Sequence, residues 1–168
     1  LGASRGYKVK IVMPDTMSIE RRNLMKAYGA ELILTEGKLG MKGSVDLAIK
    51  LAKKNNYFMP NQFGNMANVQ AHIETTAKEI LEDTDGKLDA FVAGVGTGGS
   101  ISGVSKILKE RNKDILTVAV QPSKSPVLTG GAPSSHGIQG IGANFIPDIM
   151  DLSVVDEIID MGEDIAYE

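Results

Sequence analysis

Short apolar runs alternate with segments of helical periodicity along most of this sequence, and that alternation limits the possible folds more than any other feature. The apolar runs are VKIVMP, AELILT, LDAFVAGV and ILTVAV. Such continuous apolar character is typical of strands that a parallel sheet buries on both faces. Because strands alternating with helices form βαβ units, the pattern predicts an α/β fold with a doubly wound, mostly parallel sheet and helices on both faces.

The helical segments carry start and stop signals. In TMSIERRNLMKAYGA, Thr16 or Ser18 can cap a helix that Gly29 ends. The segment GSVDLAIKLAKKNN has apolar residues at helical spacing, and MANVQAHIETTAKEILED predicts one long helix. Residues 121–147 lack periodicity and are rich in Gly, Pro and Ser, which indicates a functional or disordered loop. The run LSVVDEII then predicts a further strand.

Composition excludes several classes of protein. Apolar residues make up 42% of the 168 residues, which excludes a wholly disordered chain. No apolar run reaches membrane-spanning length, and a net charge of -3 with dispersed lysines does not suggest a nucleic-acid surface. With no cysteine and only 2 histidines, we expect neither a disulfide framework nor a metal site, which suits a cytoplasmic protein.

The stretch GTGGS, which joins LDAFVAGV to a helical pattern, carries the strongest chemical signal. Glycine at this density costs conformational entropy, so the position requires bare backbone. The first N–H groups of a helix have no partner within it and lie at the positive end of its dipole, so a strand–turn–helix of this kind can form an anion site. Thr97 and Ser100 add hydroxyl donors, and no Lys or Arg lies within the stretch.

Several interpretations of GTGGS compete on the residues alone. The P-loop motif, GxxxxGK followed by Ser or Thr, is absent. Gly94, Gly96 and Gly99 match the GxGxxG dinucleotide fingerprint, but that site also needs an acid at the end of the next strand. Asp114 precedes that strand, and Gln121 stands at its end. A plain strand–helix turn without a ligand is the remaining interpretation.

Several segments, in the right order, resemble the cysteine synthase (O-acetylserine sulfhydrylase) family of fold-type II pyridoxal-phosphate enzymes. VGTGGSISGVSKILKE resembles the cofactor-phosphate loop of that family, and MPDTMSIERRNLMKAYGAELILT resembles its mobile subdomain. NQFGNMANVQAHIETTAKEI, SPVLTGG and HGIQGIGANFIPD also match. The resemblance covers essentially the whole chain but only about the middle half of a family member. It places the later part of the N-terminal (mobile, substrate) domain at residues 1–78 and the first part of the C-terminal, phosphate-binding domain at residues 79–168.

The resemblance implies a function in cysteine biosynthesis. Members of the family use pyridoxal 5'-phosphate to replace the acetoxy group of O-acetyl-L-serine by sulfide, which gives L-cysteine and acetate. The cofactor is the electron sink, and the protein supplies orientation and electrostatics. The resemblance also implies a homodimer. The nearest enzymatic alternative is β-replacement of the cystathionine β-synthase type, and an alternative of another class is a non-catalytic module that binds pyridoxal phosphate or phosphate.

Two groups of site residues follow from the resemblance. The cofactor phosphate is assigned to Gly96, Thr97, Gly98, Gly99 and Ser100. The substrate side is assigned to Gln62, Gly140, Ile141, Gly142 and Ala143. Gln62 matches a glutamine that contacts the substrate carboxylate, although without the resemblance it would be an ordinary exposed loop residue. His72 is interpreted as a packed or surface residue rather than a base.

Three parts of the family's site have no counterpart in this sequence. The lysine that holds the cofactor as a Schiff base and an Asn-bearing loop are expected before Leu1, and the serine that bonds the pyridine nitrogen is expected after Glu168. No lysine here matches the context of the Schiff-base lysine, so no residue of this chain is assigned as catalytic. Both ends look truncated, and these residues alone are expected to be inactive and to expose apolar sheet edges.

Two departures from the family pattern lie in HGIQGIGANF. Gly137 stands where the family often has lysine. In some members this region helps to bind the C-terminal tail of serine acetyltransferase, so the change weakens the case for that partner. Asn144 replaces a common glycine beside the site, which predicts a narrower backbone there or a shifted substrate preference.

Overall fold

A computed structural model describes all 168 residues, which form two compact units. Unit 1 comprises Leu1–Met59, and unit 2 comprises Pro60–Glu168. This division precedes the domain boundary expected after residue 78, so residues 60–78 group with unit 2 by their contacts. The assignment of residues 1–78 and 79–168 to the two family domains stays a prediction.

Unit 1 is built on a two-stranded parallel sheet. Its elements are β1 (Lys10–Pro14), α1 (Ile19–Ala27), β2 (Glu31–Thr35) and α2 (Gly40–Asn55). Lys10 lies opposite Glu31 in the sheet register, and the two side chains form an ion pair of 2.6 Å. Of the two candidate caps, Ser18 starts α1, because its hydroxyl accepts a hydrogen bond from the Arg21 N–H at 3.4 Å.

Unit 2 is built on a three-stranded parallel sheet in the order β3-β4-β5. Its strands are β3 (Ala90–Gly94), β4 (Leu116–Pro122) and β5 (Glu157–Met161). Its helices are α3 (Ala67–Glu74), α4 (Thr76–Asp83), α5 (Gly99–Arg111) and α6 (Glu163–Ala166). The parallel pairing in both units confirms the predicted α/β class. None of the helices combines the length and the apolar character that a membrane crossing requires.

Helix α5 carries much of the core of unit 2. One buried cluster joins α5 to α4 and consists of Ala77, Val104, Leu108 and Ile115. A second cluster joins α5 to the sheet and consists of Val95, Ile101, Ala119 and Leu128. Each fully buried Val, Leu or Ile side chain contributes roughly 1.5–3 kcal/mol relative to an exposed one. The position of α5 on the sheet is therefore strongly determined, and so is the loop that precedes it.

The opposite face of this sheet is partly open, although Val118 on that face is buried. Val92, Leu116 and Ile159 point away from α5 and are 58%, 37% and 43% exposed. The sequence predicted burial of both faces of the sheet, and the structure buries the face towards α5 more completely than the other. These side chains lie on a face of the sheet, so the expected exposure of apolar sheet edges stays a prediction.

The predicted long helix of residues 66–83 is divided in two. Thr75 separates α3 from α4 with φ −119° and ψ −78°. Its hydroxyl donates a hydrogen bond to the Ala71 carbonyl at 2.8 Å. A threonine that bonds back to the preceding turn slightly destabilises and bends a helix, which agrees with a break at this position.

The strand predicted at LSVVDEII begins later than expected, at Glu157. Leu152–Val154 form a 3-10 turn instead. The Asp151 carboxylate caps this turn by accepting a hydrogen bond from the Ser153 N–H at 2.9 Å. The apolar pattern alone did not distinguish this capped turn from a strand.

Asp156 ties three elements of unit 2 together just before β5. Its carboxylate accepts hydrogen bonds from the Thr117 N–H at 2.7 Å and the Thr117 hydroxyl at 2.9 Å, both on β4. It also forms an ion pair of 2.5 Å with Lys109 of α5. The hydrogen bond from Lys109, followed by those from Thr117, lowers the pKa of Asp156 from 3.8 to about 2, because these contacts favour the ionised form.

We predict that Asp156→Asn lowers the free energy of unfolding at neutral pH. Because the folded-state pKa of Asp156 lies below the unfolded one, its contribution is present above about pH 4 and is lost as the pH falls towards about 2. The difference between parent and variant should therefore shrink in acid, which urea unfolding at neutral pH and at about pH 3 measures. Asp114→Asn is the matched control, since the exposed Asp114 carboxylate makes no hydrogen bond. Equal losses in the two variants would contradict the role of Asp156.

Candidate functional site

The glycine-rich loop, residues 95–100, leads from the end of β3 into the first turn of α5. Gly98 is the N-cap of α5 and has φ 85° and ψ −7°, a left-handed conformation that glycine adopts without strain. A Cβ atom on Gly98 would lie 2.8 Å from Met150 Sδ. No side chain caps α5, so the loop backbone itself forms the start of the helix.

Other glycines of this loop allow neighbouring segments to approach it. A Cβ atom on Gly96 would lie 2.6 Å from the Gly140 carbonyl oxygen. A Cβ atom on Gly99 would overlap the side chain of Asn68. Contacts within the protein therefore require glycine at these positions, whether or not a ligand also approaches the loop.

Backbone N–H groups of the loop lack acceptors within the chain. Those of Gly96, Thr97, Gly98 and Ser100 donate no hydrogen bond to any other residue. The Gly99 N–H has only a long contact of 3.4 Å with the Thr97 hydroxyl. These residues are buried or half-buried, where an unpaired N–H group is costly. Open N–H groups at a helix N-terminus suit an anion.

Helix α3 supplies two side chains that sequence analysis did not assign to the site. Asn68 Nδ2 donates to Thr97 Oγ1 and to the Gln62 carbonyl oxygen, each at 3.0 Å. His72 lies one turn further along, with Nε2 at 3.1 Å from the Ser100 hydroxyl. Each hydroxyl of the loop is thus held by one residue of α3.

The only sequence feature that could have pointed to Asn68 and His72 is their spacing. Asn68, His72 and Thr76 are four residues apart, which places the first two on one helical face. His72 Nδ1 lies 3.0 Å from the Thr76 hydroxyl across the break between α3 and α4. The half-buried position of His72 fits its interpretation as a packed residue. A polar stripe does not show which element it faces, so its contact with the loop could not be predicted.

The predicted substrate-side segment, residues 140–143, lies against the glycine-rich loop. The Gly142 N–H donates to the Val95 carbonyl at 2.8 Å. The Gly142 carbonyl lies 2.9 Å from His136 Nε2. A Cβ atom on Gly94 would lie 2.7 Å from Ile141 Cγ2, so β3 also approaches this segment closely. Two segments that are far apart in sequence therefore meet at the end of β3.

Gln62 reaches the same region through its backbone and its neighbour. Its side chain is exposed and makes no hydrogen bond, so it is free to contact a ligand. The Phe63 ring packs edge-to-face on Phe145 with 5.1 Å between ring centroids. Through Phe63 and Asn68, the segment that carries Gln62 contacts both residues 140–145 and the glycine-rich loop. The structure brings the three sequence segments together, and the roles of their residues stay predictions.

Asn144 keeps the backbone conformation that a glycine would favour. Its φ is 65°, in the left-handed region that asparagine tolerates better than most residues. Its Oδ1 accepts a hydrogen bond from the Ser125 hydroxyl at 2.8 Å. The replacement of glycine at this position therefore adds a side-chain contact without requiring a different backbone. The shift in substrate preference stays a prediction.

Gly137 is fixed by residues that follow β5. Its N–H donates to Glu163 Oε1 at 2.6 Å, and its carbonyl accepts from the Tyr167 hydroxyl at 2.7 Å. Lys124 forms an ion pair of 3.0 Å with the same carboxylate. The pKa of Glu163 is held below its usual value, first by the Gly137 N–H and then by Lys124. The loop that leads to residues 140–143 is thus anchored by its main chain.

Gln121, at the end of β4, has its amide fully occupied within the protein. Its Oε1 accepts from the Leu128 N–H at 2.8 Å, and its Nε2 donates to Asp160 at 2.8 Å and to Thr129 at 3.1 Å. Gln121 is 1% exposed. It is therefore unable to hold ribose hydroxyls, which weakens the dinucleotide interpretation further.

Comparison with known protein families shows which family the chain belongs to. Its residues 1–168 match the model described as pyridoxal-phosphate dependent enzyme, so the chain belongs to that family. It is 50% identical to the cysteine synthase of Flavobacterium sp. over 169 aligned residues, covering 100% of this chain and 55% of the relative.

Solved structures show the same relationship. The cysteine synthase of Entamoeba histolytica superposes with a TM-score of 0.88 at 54% identity, over 99% of this chain and 49% of that one. A hydrogen sulfide-producing enzyme of Fusobacterium nucleatum superposes with a TM-score of 0.92 at 50% identity, over 99% of this chain and 56% of that one. The chain thus spans about half the length of the relatives it matches.

The glycine-rich loop fits the phosphate of the family's cofactor. Open N–H groups, two hydroxyls and a helix N-terminus are the donors that an anion needs, and they require no charged side chain. The ion pairs of Lys10, Lys38, Lys42, Lys109 and Lys124 all lie away from this loop. These residues therefore fit the phosphate group of the cofactor.

We predict that Gly98→Ala destabilises unit 2 more than Gly130→Ala does. Both glycines have φ 85°, so both variants pay the left-handed strain of about 1–2 kcal/mol. Only at Gly98 does the new Cβ meet Met150, whereas the space around Gly130 is open. The excess loss, on the order of 1–3 kcal/mol, is measured by denaturant unfolding. Equal losses would contradict the close contact at Gly98.

Proposed function

We propose that this chain is part of a pyridoxal-phosphate dependent cysteine synthase, which replaces the acetoxy group of O-acetyl-L-serine by sulfide. The observation that carries the proposal is the set of unpaired N–H groups in residues 96–100, placed beside residues 140–143 and the segment of Gln62. The identity of about half of all aligned residues to cysteine synthases supports it.

In this proposal the residues of the chain bind the cofactor phosphate and orient the substrate. Gly96, Thr97, Gly98, Gly99 and Ser100 hold the cofactor phosphate through N–H groups and hydroxyls. Gln62 donates to the substrate carboxylate, and residues 140–143 line the substrate side. The bound cofactor supplies an electron sink for loss of the acetoxy group. The lysine that carries the cofactor lies outside this chain, and the whole protein acts as a cytoplasmic homodimer.

The proposed domain assignment is that of the family. Residues 1–78 belong to the substrate domain, and residues 79–168 belong to the phosphate-binding domain. Asn68 and His72, which contact the glycine-rich loop, then come from the substrate domain and support the phosphate loop of the other domain.

A second candidate is a module that binds the cofactor phosphate without catalysis. Its phosphate site would be the same set of N–H groups and hydroxyls in residues 96–100. The two candidates share the phosphate site and differ in whether a lysine of the complete protein forms a covalent bond with the cofactor.

Cofactor binding tests both candidates on the 168-residue chain. We expect pyridoxal 5'-phosphate to bind reversibly and to be displaced by inorganic phosphate. Reduction with borohydride followed by mass spectrometry should find no single lysine modified in full. No binding at all would contradict the phosphate site. Full modification of one lysine would contradict the placement of the covalent lysine outside this chain.

The reaction is tested on the complete natural polypeptide, with O-acetyl-L-serine and either sulfide or homocysteine. Cysteine formed with sulfide supports the proposal, whereas cystathionine as the main product supports the alternative β-replacement. Absence of both products, together with retained cofactor binding, supports the non-catalytic module.

We predict that Gln62→Ala, made in the complete natural polypeptide, raises KM for O-acetyl-L-serine by roughly tenfold, because a hydrogen bond to a charged group is worth about 1.5–3 kcal/mol. The affinity for pyridoxal phosphate should stay unchanged, since the Gln62 side chain makes no contact with the loop. Steady-state kinetics and cofactor titration measure the two effects. A loss of cofactor affinity with an unchanged KM would contradict the assigned role.

A further inference from the structure

We infer that Asn68 is a positioning residue that makes the Thr97 hydroxyl an obligatory donor towards the anion held by the glycine-rich loop. The inference rests on the proposed function, because it concerns how the same site holds its phosphate. Asn68, on α3, would thus affect ligand binding without touching the ligand, because it orients the hydroxyl of Thr97.

The orientation of the Asn68 amide is fixed by its partners. The Gln62 carbonyl oxygen, at 3.0 Å, can only accept a hydrogen bond, so the amide end that faces it must be the NH₂ group. The same nitrogen lies 3.0 Å from Thr97 Oγ1. Its two N–H bonds are thus divided between Gln62 and Thr97, and Asn68 can only donate to the Thr97 hydroxyl.

The remaining bonding capacity of Thr97 follows directly. A hydroxyl oxygen has two acceptor positions and one proton. Asn68 Nδ2 fills one acceptor position, and the Gly99 N–H, at 3.4 Å, approaches the other. The Thr97 hydroxyl donates no hydrogen bond within the chain. Its proton is therefore left to point at a ligand beside the unpaired N–H groups of the loop.

Ser100 provides a contrast within the same loop. Its hydroxyl lies 3.1 Å from His72 Nε2, and either atom can be the donor, depending on the tautomer of the ring. The histidine contact therefore does not force the Ser100 proton in one direction. Of the two hydroxyls, only that of Thr97 is committed to donation by its surroundings.

Asn68 also occupies the space that the loop leaves open. Its Oδ1 packs against Gly99, where any side chain would overlap it. Removing the amide would therefore free the Thr97 hydroxyl to rotate and leave a gap beside the first residue of α5. A merely structural role and an orienting role both predict some loss of stability, so they must be separated by ligand binding.

A double-mutant cycle makes this separation, with pyridoxal 5'-phosphate as the probe and the 168-residue chain as the protein. We expect Asn68→Ala to weaken binding on the order of tenfold, the cost of one hydrogen bond to a charged group. In a Thr97→Val background, where no hydroxyl remains to be oriented, Asn68→Ala should weaken binding by less than about twofold. Thr97→Ser, which keeps the hydroxyl, should bind as the parent does.

The isosteric variant Asn68→Asp keeps the test decisive if the alanine variant fails to fold. A carboxylate can only accept, so it would take the Thr97 proton and add negative charge beside the anion. We expect its loss of affinity to exceed that of Asn68→Ala. Gln70→Ala is the matched control on α3, because its side chain bonds only Glu74 and it should leave binding unchanged.

Parent-like binding by Asn68→Asp, or full additivity of the Asn68→Ala and Thr97→Val losses, would overturn the inference and leave the proposed function in place. An unsubstituted chain that binds no pyridoxal 5'-phosphate would overturn both. Inorganic phosphate as competitor checks that the phosphate group is the part of the probe that these variants affect.

Discussion

The close approach of α3 to α5 determines where the rest of the candidate site lies. At Gly103 the helices are so near that a Cβ atom would lie 2.6 Å from the Val69 carbonyl oxygen and 2.9 Å from His72 Cβ. This contact brings one face of α3 to the first turn of α5, so Asn68 and His72 reach the two hydroxyls of the glycine-rich loop. A larger residue at position 103 would push the helices apart, and it would thereby separate Asn68 and His72 from the two hydroxyls. The packing of unit 2 and the chemistry of its site therefore depend on the same small residue.

The proposed site would recognise an anion without any charged side chain. N–H groups and hydroxyls act over short distances, and the effect of a helix dipole is confined to about its first turn. The strength of binding by these groups therefore depends on where each one is placed, which explains why several neighbouring residues hold the loop in position. Three glycines of the loop each have a close neighbour: the carbonyl of Gly140, the side chain of Met150 and the amide of Asn68. Glycine here serves precise packing between segments as much as access for a ligand.

Local rules predicted much of the fold from the sequence. Ser18 caps α1 and the apolar runs form parallel strands, because capping and burial depend on nearby residues and a simple pattern. The rules failed at Thr75 and Asp151, where a side chain competes with the backbone for hydrogen bonds. The residues themselves singled out the glycine-rich loop as a possible anion site, and the resemblance added its companion segments. It did not supply Asn68, because the partner of a polar helix face is decided by tertiary packing.

The start of α5 has a thermodynamic consequence. A side-chain cap can satisfy N–H groups in the first turn of a helix, and α5 has none. An anion on the open N–H groups would itself be the cap, so ligand binding and folding become one linked equilibrium. A ligand that binds only the folded state stabilises it in proportion to the logarithm of its concentration above Kd. The supply of the phosphate ligand would then set the population of folded chains, as well as the number of occupied sites.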